Sequence, residues 1–187
     1  MIFRELEIAG AWIIQSNIHT DNRGFFLEWY KQSEFKENTG IDFSIAQANH
    51  SKSAKGVLRG IHYSLASKGQ AKWVTCTSGR IWDVVIDIRP NSPTFKNWIA
   101  IDIAAESGTS LFLNGNLGHA FVALEDNTKV SYLVDSEYAP SFELDLNPLD
   151  PEIKIEWPNL ELFMSEKDAN SPYLTTRINE GKLPNAS

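Results

Sequence analysis

Apolar and polar residues alternate in short segments along most of the chain, and glycine, proline or asparagine residues separate one segment from the next. Alternation with a period of two predicts β-strands, because successive side chains of a strand point to opposite faces. The clearest segments are 81–89, 98–103 and 129–134. About ten such strands at near-regular spacing, with little helix, predict an all-β fold, either an antiparallel sandwich or a jelly-roll barrel.

Two regions depart from this alternation. Residues 31–40 predict one short helix, with Ser33 as its cap and Gly40 as its end. After Ser136 several prolines interrupt the pattern, and we expect one further strand near 153–157 and a short helix in the tail. The tail should wrap around the barrel, with its last residues, 183–187, loose. The chain therefore predicts a single domain over residues 1–187.

Composition and charge exclude several classes of function. The formal net charge is −7 and no cluster of Lys and Arg is present, which argues against a nucleic-acid partner. No apolar run approaches the roughly 18 residues that a membrane span needs, so we expect no membrane association. The single cysteine, Cys76, lies in an alternating segment and is predicted to fill the core. A lone cysteine also favours a cytoplasmic location.

The segment 56–72 concentrates residues that can do chemistry, namely Arg59, His62 and Lys72. If two adjacent strands carry them, all three reach one pocket. A guanidinium can hold a phosphate, an imidazole can transfer a proton near neutral pH, and an ammonium can stabilise an oxyanion. The alternative is a surface hairpin with scattered polar residues.

Other kinds of chemistry have few suitable residues. The chain has four histidines, and Ser64 occupies the position where a metal-binding jelly roll would carry a second histidine after His62. His119 stands alone and could equally be a hydrogen-bonded structural histidine. Acid–base chemistry without a metal or cofactor remains, with His62 as base, Lys72 stabilising an enolate and Tyr132 as acid. The alternative for Tyr132 is an aromatic side chain that packs in the core.

Ordered motifs then connect the chain to a known family. From about Ile8 to Leu174 the sequence resembles the dTDP-4-dehydrorhamnose 3,5-epimerases. The motifs are Asp21-x-Arg-Gly-Phe-Phe-x-Glu28, Gln47-Ala-Asn-His-Ser-Lys-Ser53, Gly56-Val-Leu-Arg-Gly-Ile-His-Tyr63, Gln70-Ala-Lys72, Asp83-Val-Val-Ile-Asp-Ile-Arg89 with Ser92-Pro-Thr-Phe95, Gly118-His-Ala-Phe121, Tyr138-x-Pro-x-x-Glu143, Asp150-Pro151, Trp157-Pro158 and Ser165-Glu-Lys-Asp168. The resemblance implies a cupin-type jelly-roll barrel with short peripheral helices, a homodimer, no metal and no cofactor. It implies a nucleotide-diphosphate sugar as the substrate, in deoxysugar biosynthesis.

The resemblance also implies roles for individual residues. His62 would take the proton from C5, and in the full reaction from C3, of a 4-keto-6-deoxy sugar, with Asp168 orienting it as a dyad. Lys72 would hold the C4 enolate oxygen, and Tyr132 would return a proton to the opposite face. Arg23 and Arg59 would grip the diphosphate. The remaining matches line the nucleotide and sugar sites, with Tyr138 stacking on the base; they are Glu28, Gln47, Asn49, His119, Tyr138, Glu143 and Lys167.

The sequence departs from the family pattern at four positions. His19 stands where members acting on thymidine sugars commonly carry phenylalanine, and Ser64 replaces a common glutamine. Ala120 and Asp145 each replace a usual glycine. These positions match those near the nucleotide base and the rim of the sugar site. We therefore hypothesise that the reaction type is kept but the substrate differs, for example a CDP-linked sugar. Inversion at only one carbon is another possibility. A non-catalytic sugar-nucleotide binder and a metal-dependent oxygenase are the competing hypotheses.

Overall fold

Two facing antiparallel sheets form most of the protein in the computed structural model, which describes residues 1–185. In spatial order the first sheet contains β1 (Ile2–Glu5), β2 (Ala11–Gln15), β10 (Thr109–Leu113), β7 (Lys72–Ser78), β12 (Thr128–Val134) and β5 (Gln47–Ser53). The second contains β13 (Glu143–Asp145), β6 (Leu58–Ser64), β11 (Gly118–Ala123), β8 (Arg80–Ile86) and β9 (Trp98–Ala104). The prediction of an all-β jelly-roll barrel is confirmed.

Short elements surround this barrel. The strands β3 (Ile18–Asp21) and β4 (Gly24–Leu27) pair only with each other within residues 1–185 and form a separate hairpin. The helices are α1 (Gln32–Thr39), α2 (Glu166–Ala169) and α3 (Leu174–Asn179). None of these described helices is long and apolar enough to cross a membrane.

The main core lies between the two sheets, where apolar side chains of both inner faces meet. Val74 and Leu111 from the first sheet pack there with Val85 and Phe121 from the second. Cys76 belongs to the same cluster, so the prediction that it fills the core is confirmed. Burial raises the pKa of its thiol to about 11, because the charged thiolate is poorly solvated there.

Two further apolar clusters attach the peripheral segments to the outer faces of the sheets. On the first sheet Phe35 of α1 packs edge-on against Trp73, with ring centroids 5.1 Å apart. On the second sheet Ile153 and Ile155 are buried with Leu174 of α3. The C-terminal segment therefore wraps around the barrel as predicted, and this docking brings α2 against β6.

Several predictions about helix ends, strands and the C-terminal tail were wrong. Ser33 lies inside α1, and Lys31 occupies the cap position without a side-chain hydrogen bond, whereas Gly40 does end the helix, with φ 74°. Residues 153–157 form no strand; their apolar side chains pack instead against the cluster on the second sheet. Leu183 also packs against that cluster, although it was expected to be loose. The same expectation for residues 186 and 187 lies outside the described residues.

The acidic motif at 83–95 has a structural explanation. Asp87 is fully buried, and its carboxylate accepts hydrogen bonds from Arg89, Ser92 and Thr94. Burial alone would raise the pKa of Asp87, but these hydrogen bonds outweigh it and lower the pKa to about 2. The motif therefore fixes the loop between β8 and β9.

Candidate active site

A cavity of about 350 Å³ opens between the two sheets, and polar side chains dominate its wall. The strands β5, β7 and β12 of the first sheet face β6 and β13 of the second across it. Its lining residues are Gln47, Asn49, His62, Gln70, Lys72, Tyr132, Tyr138, Glu143, Asp145 and Lys167. The volume suits one sugar ring with its polar substituents.

His62 and Lys72 reach this cavity by a different route from the one predicted. They lie on β6 and β7, which belong to different sheets and do not pair with each other. The expectation of two adjacent strands was therefore wrong, although both side chains line one cavity. Facing sheets place the imidazole and the ammonium on opposite walls, which leaves room for a ligand between them.

The imidazole of His62 is held by a buried carboxylate. Its Nε2 lies 2.8 Å from Oδ1 of Asp168, on α2. The hydroxyl of Ser165 caps this helix by accepting a hydrogen bond from the Asp168 backbone N–H, which fixes the carboxylate. Burial raises the pKa of Asp168, but the hydrogen bond and the charge of His62 outweigh it and hold the pKa below its usual value. The His62 side chain remains 40% exposed, so its ring is accessible to a ligand.

Gly60 lets β6 approach β11 closely enough to place this ring. Its φ of 125° lies in a region that other residues rarely adopt. A Cβ added at Gly60 would lie 2.5 Å from the Cβ of Ala120. Glycine is therefore required two residues before His62.

Lys72 presents a buried ammonium to the opposite wall. Its Nζ donates a hydrogen bond to the carbonyl oxygen of Gln70 at 3.3 Å. Burial lowers the pKa of Lys72, and the negative charges of Glu143 and Asp135 oppose this effect only in part. A poorly solvated cation of this kind is suited to stabilising a negative charge that develops on a ligand oxygen.

Tyr132 contacts both the core and the cavity. Its ring packs against the main core cluster, yet its side chain also lines the cavity. Burial raises the pKa of its phenol, with Arg59 opposing and Glu143 adding to the shift. The phenol therefore keeps its proton at neutral pH and can donate it.

Polar residues at the cavity rim connect to the loop that follows β12. Gln47 and Asn49 lie on one face of β5, as predicted, and their side chains are joined by a 2.7 Å hydrogen bond. Gln47 also accepts a hydrogen bond from the backbone N–H of Tyr138, and Gln70 donates one to the carbonyl oxygen of Ser136. Tyr138 is consequently held at the mouth of the cavity.

Asp145 was not among the predicted site residues, although it lies beside His62. It is the strand partner of His62 between β13 and β6, and its Oδ1 lies 3.8 Å from the His62 Nε2. The same oxygen lies 3.0 Å from Nζ of Lys167. Burial lowers the pKa of Lys167, but Asp145 outweighs it and raises the pKa. The replacement of a usual family glycine by Asp145 was the signal that could have identified it.

Ligand atoms of His62, Asp145 and Asp168 all lie within 4.8 Å of one another, a spacing that a metal ion could bridge. The ammonium of Lys167 already supplies a positive charge to this group, because it is paired with Asp145. A second cation would meet repulsion from that ammonium. The donor set therefore fits a hydrogen-bonded acid–base site better than a metal centre.

Two predicted residues lie beside the cavity and do not line it. Arg59 borders a neighbouring groove that shares His62 and Lys167 with the cavity, and its Nε donates a hydrogen bond to the hydroxyl of Ser53 at 3.1 Å. His119 is buried, and its Nε2 lies 2.7 Å from Oδ1 of Asp83. The geometry of His119 matches the hydrogen-bonded structural alternative.

Two other predicted site residues lie outside both the cavity and the neighbouring groove. Arg23 and Glu28 accompany the β3–β4 hairpin and line neither the cavity nor the neighbouring groove. The side chain of Arg23 is 85% exposed and forms an ion pair with Asp21. A single chain therefore does not bring these two residues together with His62.

Comparisons with known proteins agree with this architecture. A dTDP-4-dehydrorhamnose 3,5-epimerase from Mycolicibacterium smegmatis is 45% identical over 98% of this chain and 91% of its own. The solved structure of a 4-keto-6-deoxy sugar epimerase from the novobiocin cluster of Streptomyces spheroides matches with a TM-score of 0.96 at 39% identity, covering 99% of this chain and 93% of that one. A 3′-monoepimerase from Streptomyces bikiniensis, solved with dTDP-quinovose, matches at 0.93 and 43% identity, covering 96% and 91%.

The family itself is recognised over most of the sequence. The model that describes the dTDP-4-dehydrorhamnose 3,5-epimerases matches residues 5–176. The matched region includes β6, β7, β12 and α2, which carry His62, Lys72, Tyr132 and Asp168. This match, together with the relatives described above, shows that the chain belongs to the dTDP-4-dehydrorhamnose 3,5-epimerase family.

Proposed function

We propose that the protein is a cofactor-independent epimerase of a nucleotide-activated 4-keto-6-deoxy sugar and acts in deoxysugar biosynthesis. One observation carries this proposal: a carboxylate-held imidazole, a buried ammonium and a protonated phenol line one sugar-sized cavity. These groups are what inversion next to a carbonyl requires, namely a base, an oxyanion stabiliser and an acid.

The reaction follows from these positions. His62 takes the proton from the carbon next to the C4 carbonyl, and the electron pair of the broken C–H bond moves to form the enolate. Lys72 stabilises the negative charge on the C4 oxygen. Tyr132 then donates its proton to the opposite face of the same carbon, which restores the ketone with inverted configuration. Asp168 stabilises the imidazolium of His62 meanwhile, and proton exchange with water resets both side chains.

The nucleotide end of the ligand is assigned to the rim and the groove. Gln47, Asn49 and Glu143 line the cavity beside the catalytic groups, and Tyr138 at its mouth offers a face for the base. Arg59 in the adjoining groove, together with Lys167, offers positive charge to the diphosphate. His119, held by Asp83 behind the wall, supports His62 from the neighbouring strand. The buried Cys76 is compatible with the reducing cytoplasm in which we place the protein.

Inversion of only one carbon is a second candidate. The 3′-monoepimerase from Streptomyces bikiniensis shares 43% identity and the fold with this chain, so one scaffold serves both outcomes. A CDP-linked sugar is a further alternative, because His19 replaces a common phenylalanine.

Proton NMR of the reaction in D₂O tests these alternatives together. We expect deuterium to enter C5, C3 or both in a dTDP-linked 4-keto-6-deoxy sugar, and the labelled positions identify the centres that the enzyme attacks. The CDP-linked sugar serves as the comparison, and a clear preference for dTDP would remove the altered-base alternative. Binding of the nucleotide sugar without any exchange would instead indicate a non-catalytic binder.

We also propose a homodimer in which the β3–β4 hairpin of one copy completes the site of the other. The hairpin exposes Phe25 and Phe26, and both line an apolar cavity of about 330 Å³ next to β7 and β10. Arg23 and Glu28 do not line the cavity of their own chain, so neither can contact a ligand bound there. A second copy would bury the aromatic rings and bring Arg23 to the diphosphate.

Replacing Phe26 with aspartate is therefore expected to yield a monomer with little epimerase activity. Phe26 is 66% exposed, so the change costs the monomer little, whereas a charge buried in an apolar interface is strongly unfavourable. Light scattering measures the mass and NMR exchange measures the activity. The control is Ile178→Asp, which introduces the same charge at a 42% exposed apolar residue of α3. A dimer that survives Phe26→Asp, or a monomeric wild type, would contradict the proposal.

A further inference from the structure

Asp145 is a buried carboxylate at the cavity wall to which the proposed reaction gives no role. We propose that it accepts a hydrogen bond from a hydroxyl group on the C2–C3 edge of the sugar, and so selects substrates that carry this hydroxyl. The inference rests on the proposed function and adds to it a residue that determines specificity.

The position of Asp145 leaves one of its oxygen atoms available. Oδ1 faces the ammonium of Lys167 at 3.0 Å and lies 3.8 Å from Nε2 of His62, which is too long for a hydrogen bond. For Oδ2 the structure records no hydrogen bond or ion pair with any residue in 1–185. The side chain of Asp145 is 13% exposed and lines the cavity, so this oxygen is open to a ligand that enters there and can accept a hydrogen bond from it.

The chemistry of a carboxylate restricts what can fill this position. An ionised carboxylate only accepts hydrogen bonds, so its partner must be a donor. The diphosphate of a sugar nucleotide is an acceptor of the same charge and would be repelled. The hydroxyl groups of the sugar are the donors that can enter the cavity next to His62.

Because Asp145 lies close to His62, its position indicates which edge of the sugar carries the hydroxyl group that it contacts. A group that contacts Asp145 must lie within a bond or two of the carbon that faces His62, because the two side chains are 3.8 Å apart. When C5 faces His62, the neighbouring groups are the ring oxygen and the C6 methyl, and neither donates a hydrogen bond. When C3 faces His62, the hydroxyls at C3 and C2 are both near.

The strand itself does not depend on the Asp145 side chain. Its backbone pairs with His62, and its carbonyl oxygen accepts a hydrogen bond from Nε of Arg177 at 3.1 Å. Substitution of the side chain leaves both backbone contacts available. The carboxylate could instead act only by holding Lys167, and the experiment separates these two roles.

Deuterium exchange at C3 tests the inference with three dTDP-linked 4-keto sugars: the 6-deoxy parent, the 2,6-dideoxy analogue and the 3,6-dideoxy analogue. For the wild type we expect exchange at C3 to be roughly 10- to 100-fold slower with at least one analogue, the factor that a charged hydrogen bond supplies. In Asp145→Ala the parent should slow to the rate of that analogue. In Asp145→Asn, whose amide oxygen still accepts, part of the discrimination should return.

Lys167→Met is the matched variant, because it removes the ion pair and keeps the carboxylate. It should keep the discrimination among the sugars, whatever its effect on the absolute rates. If it reproduces the Asp145→Ala pattern, Asp145 acts only through Lys167 and the inference is wrong. Equal slowing of all three sugars in Asp145→Ala, or no discrimination in the wild type, overturns it too. Exchange at C5 alone overturns the inference and leaves the proposed function standing, whereas no exchange at any carbon overturns both.

Discussion

Replacing His62 with alanine is expected to lower the rate of deuterium exchange into the substrate by roughly 10²- to 10⁴-fold, the range that a general base supplies. In the proposed reaction this ring is the base: it lines the cavity, and its Nε2 lies 2.8 Å from Oδ1 of Asp168. Without the imidazole the proposed base is lost, so exchange and inversion should both slow by this factor. Proton NMR in D₂O measures exchange, and chromatography of the sugar product measures inversion.

The matched variant is Tyr132→Phe, which removes one phenol oxygen from the other wall. This variant should still exchange the proton that His62 removes, because the base and Lys72 are intact. It should fail to invert the carbon, since the donor on the opposite face is missing. Rapid exchange in His62→Ala, or full inversion in Tyr132→Phe, would show that the two walls have been assigned wrongly. Retained binding of dTDP in both variants would show that the cavity is intact.

Replacing Lys72 with methionine is expected to lower kcat by roughly 10²- to 10³-fold, as the loss of an oxyanion-stabilising donor does in other enzymes. The same change should leave the free energy of unfolding unchanged or raise it. A buried ammonium lowers stability through its desolvation, and methionine fills a similar volume without that cost. Urea unfolding measures the stability of both proteins.

The pH dependence gives this prediction a second measurement. Burial lowers the pKa of Lys72 below its ordinary 10.5, so between the two values the unfolded chain binds a proton that the folded protein does not. The free energy of unfolding that Lys72 contributes should therefore rise with pH in that window, while the rate falls as the ammonium is lost. Both trends should be absent from Lys72→Met. A methionine variant that keeps the wild-type rate would contradict the role of Lys72.

The sequence predicted which residues line the cavity better than it predicted their arrangement. His62 and Lys72 were recognisable because a base and a cation stand close together in a segment of alternating residues. Their arrangement was not, because local sequence does not tell which strands pair, and β6 and β7 belong to opposite sheets. Asp168 lies 106 residues after His62, and resemblance to a family could identify it where spacing could not.

Asp145 and Arg23 are two further residues whose place in the structure could not be predicted from the sequence. An acidic residue on a three-residue strand gives no pattern of its own, and only its pairing with His62 brings it to the cavity. Arg23 belongs to a motif of the family resemblance, but its side chain is exposed and does not line the cavity of its own chain, and the role that we propose for it needs another copy of the chain. Information of this kind resides in tertiary and quaternary contacts.

The docking of α2 against β6 has a consequence for the order in which the enzyme matures. During synthesis the barrel strands leave the ribosome first, and Asp168 follows His62 by 106 residues and comes after the last barrel strand, β13. A nascent barrel can therefore close around its cavity while the imidazole still lacks its partner. We therefore expect catalytic competence to appear only when the C-terminal segment packs onto the second sheet.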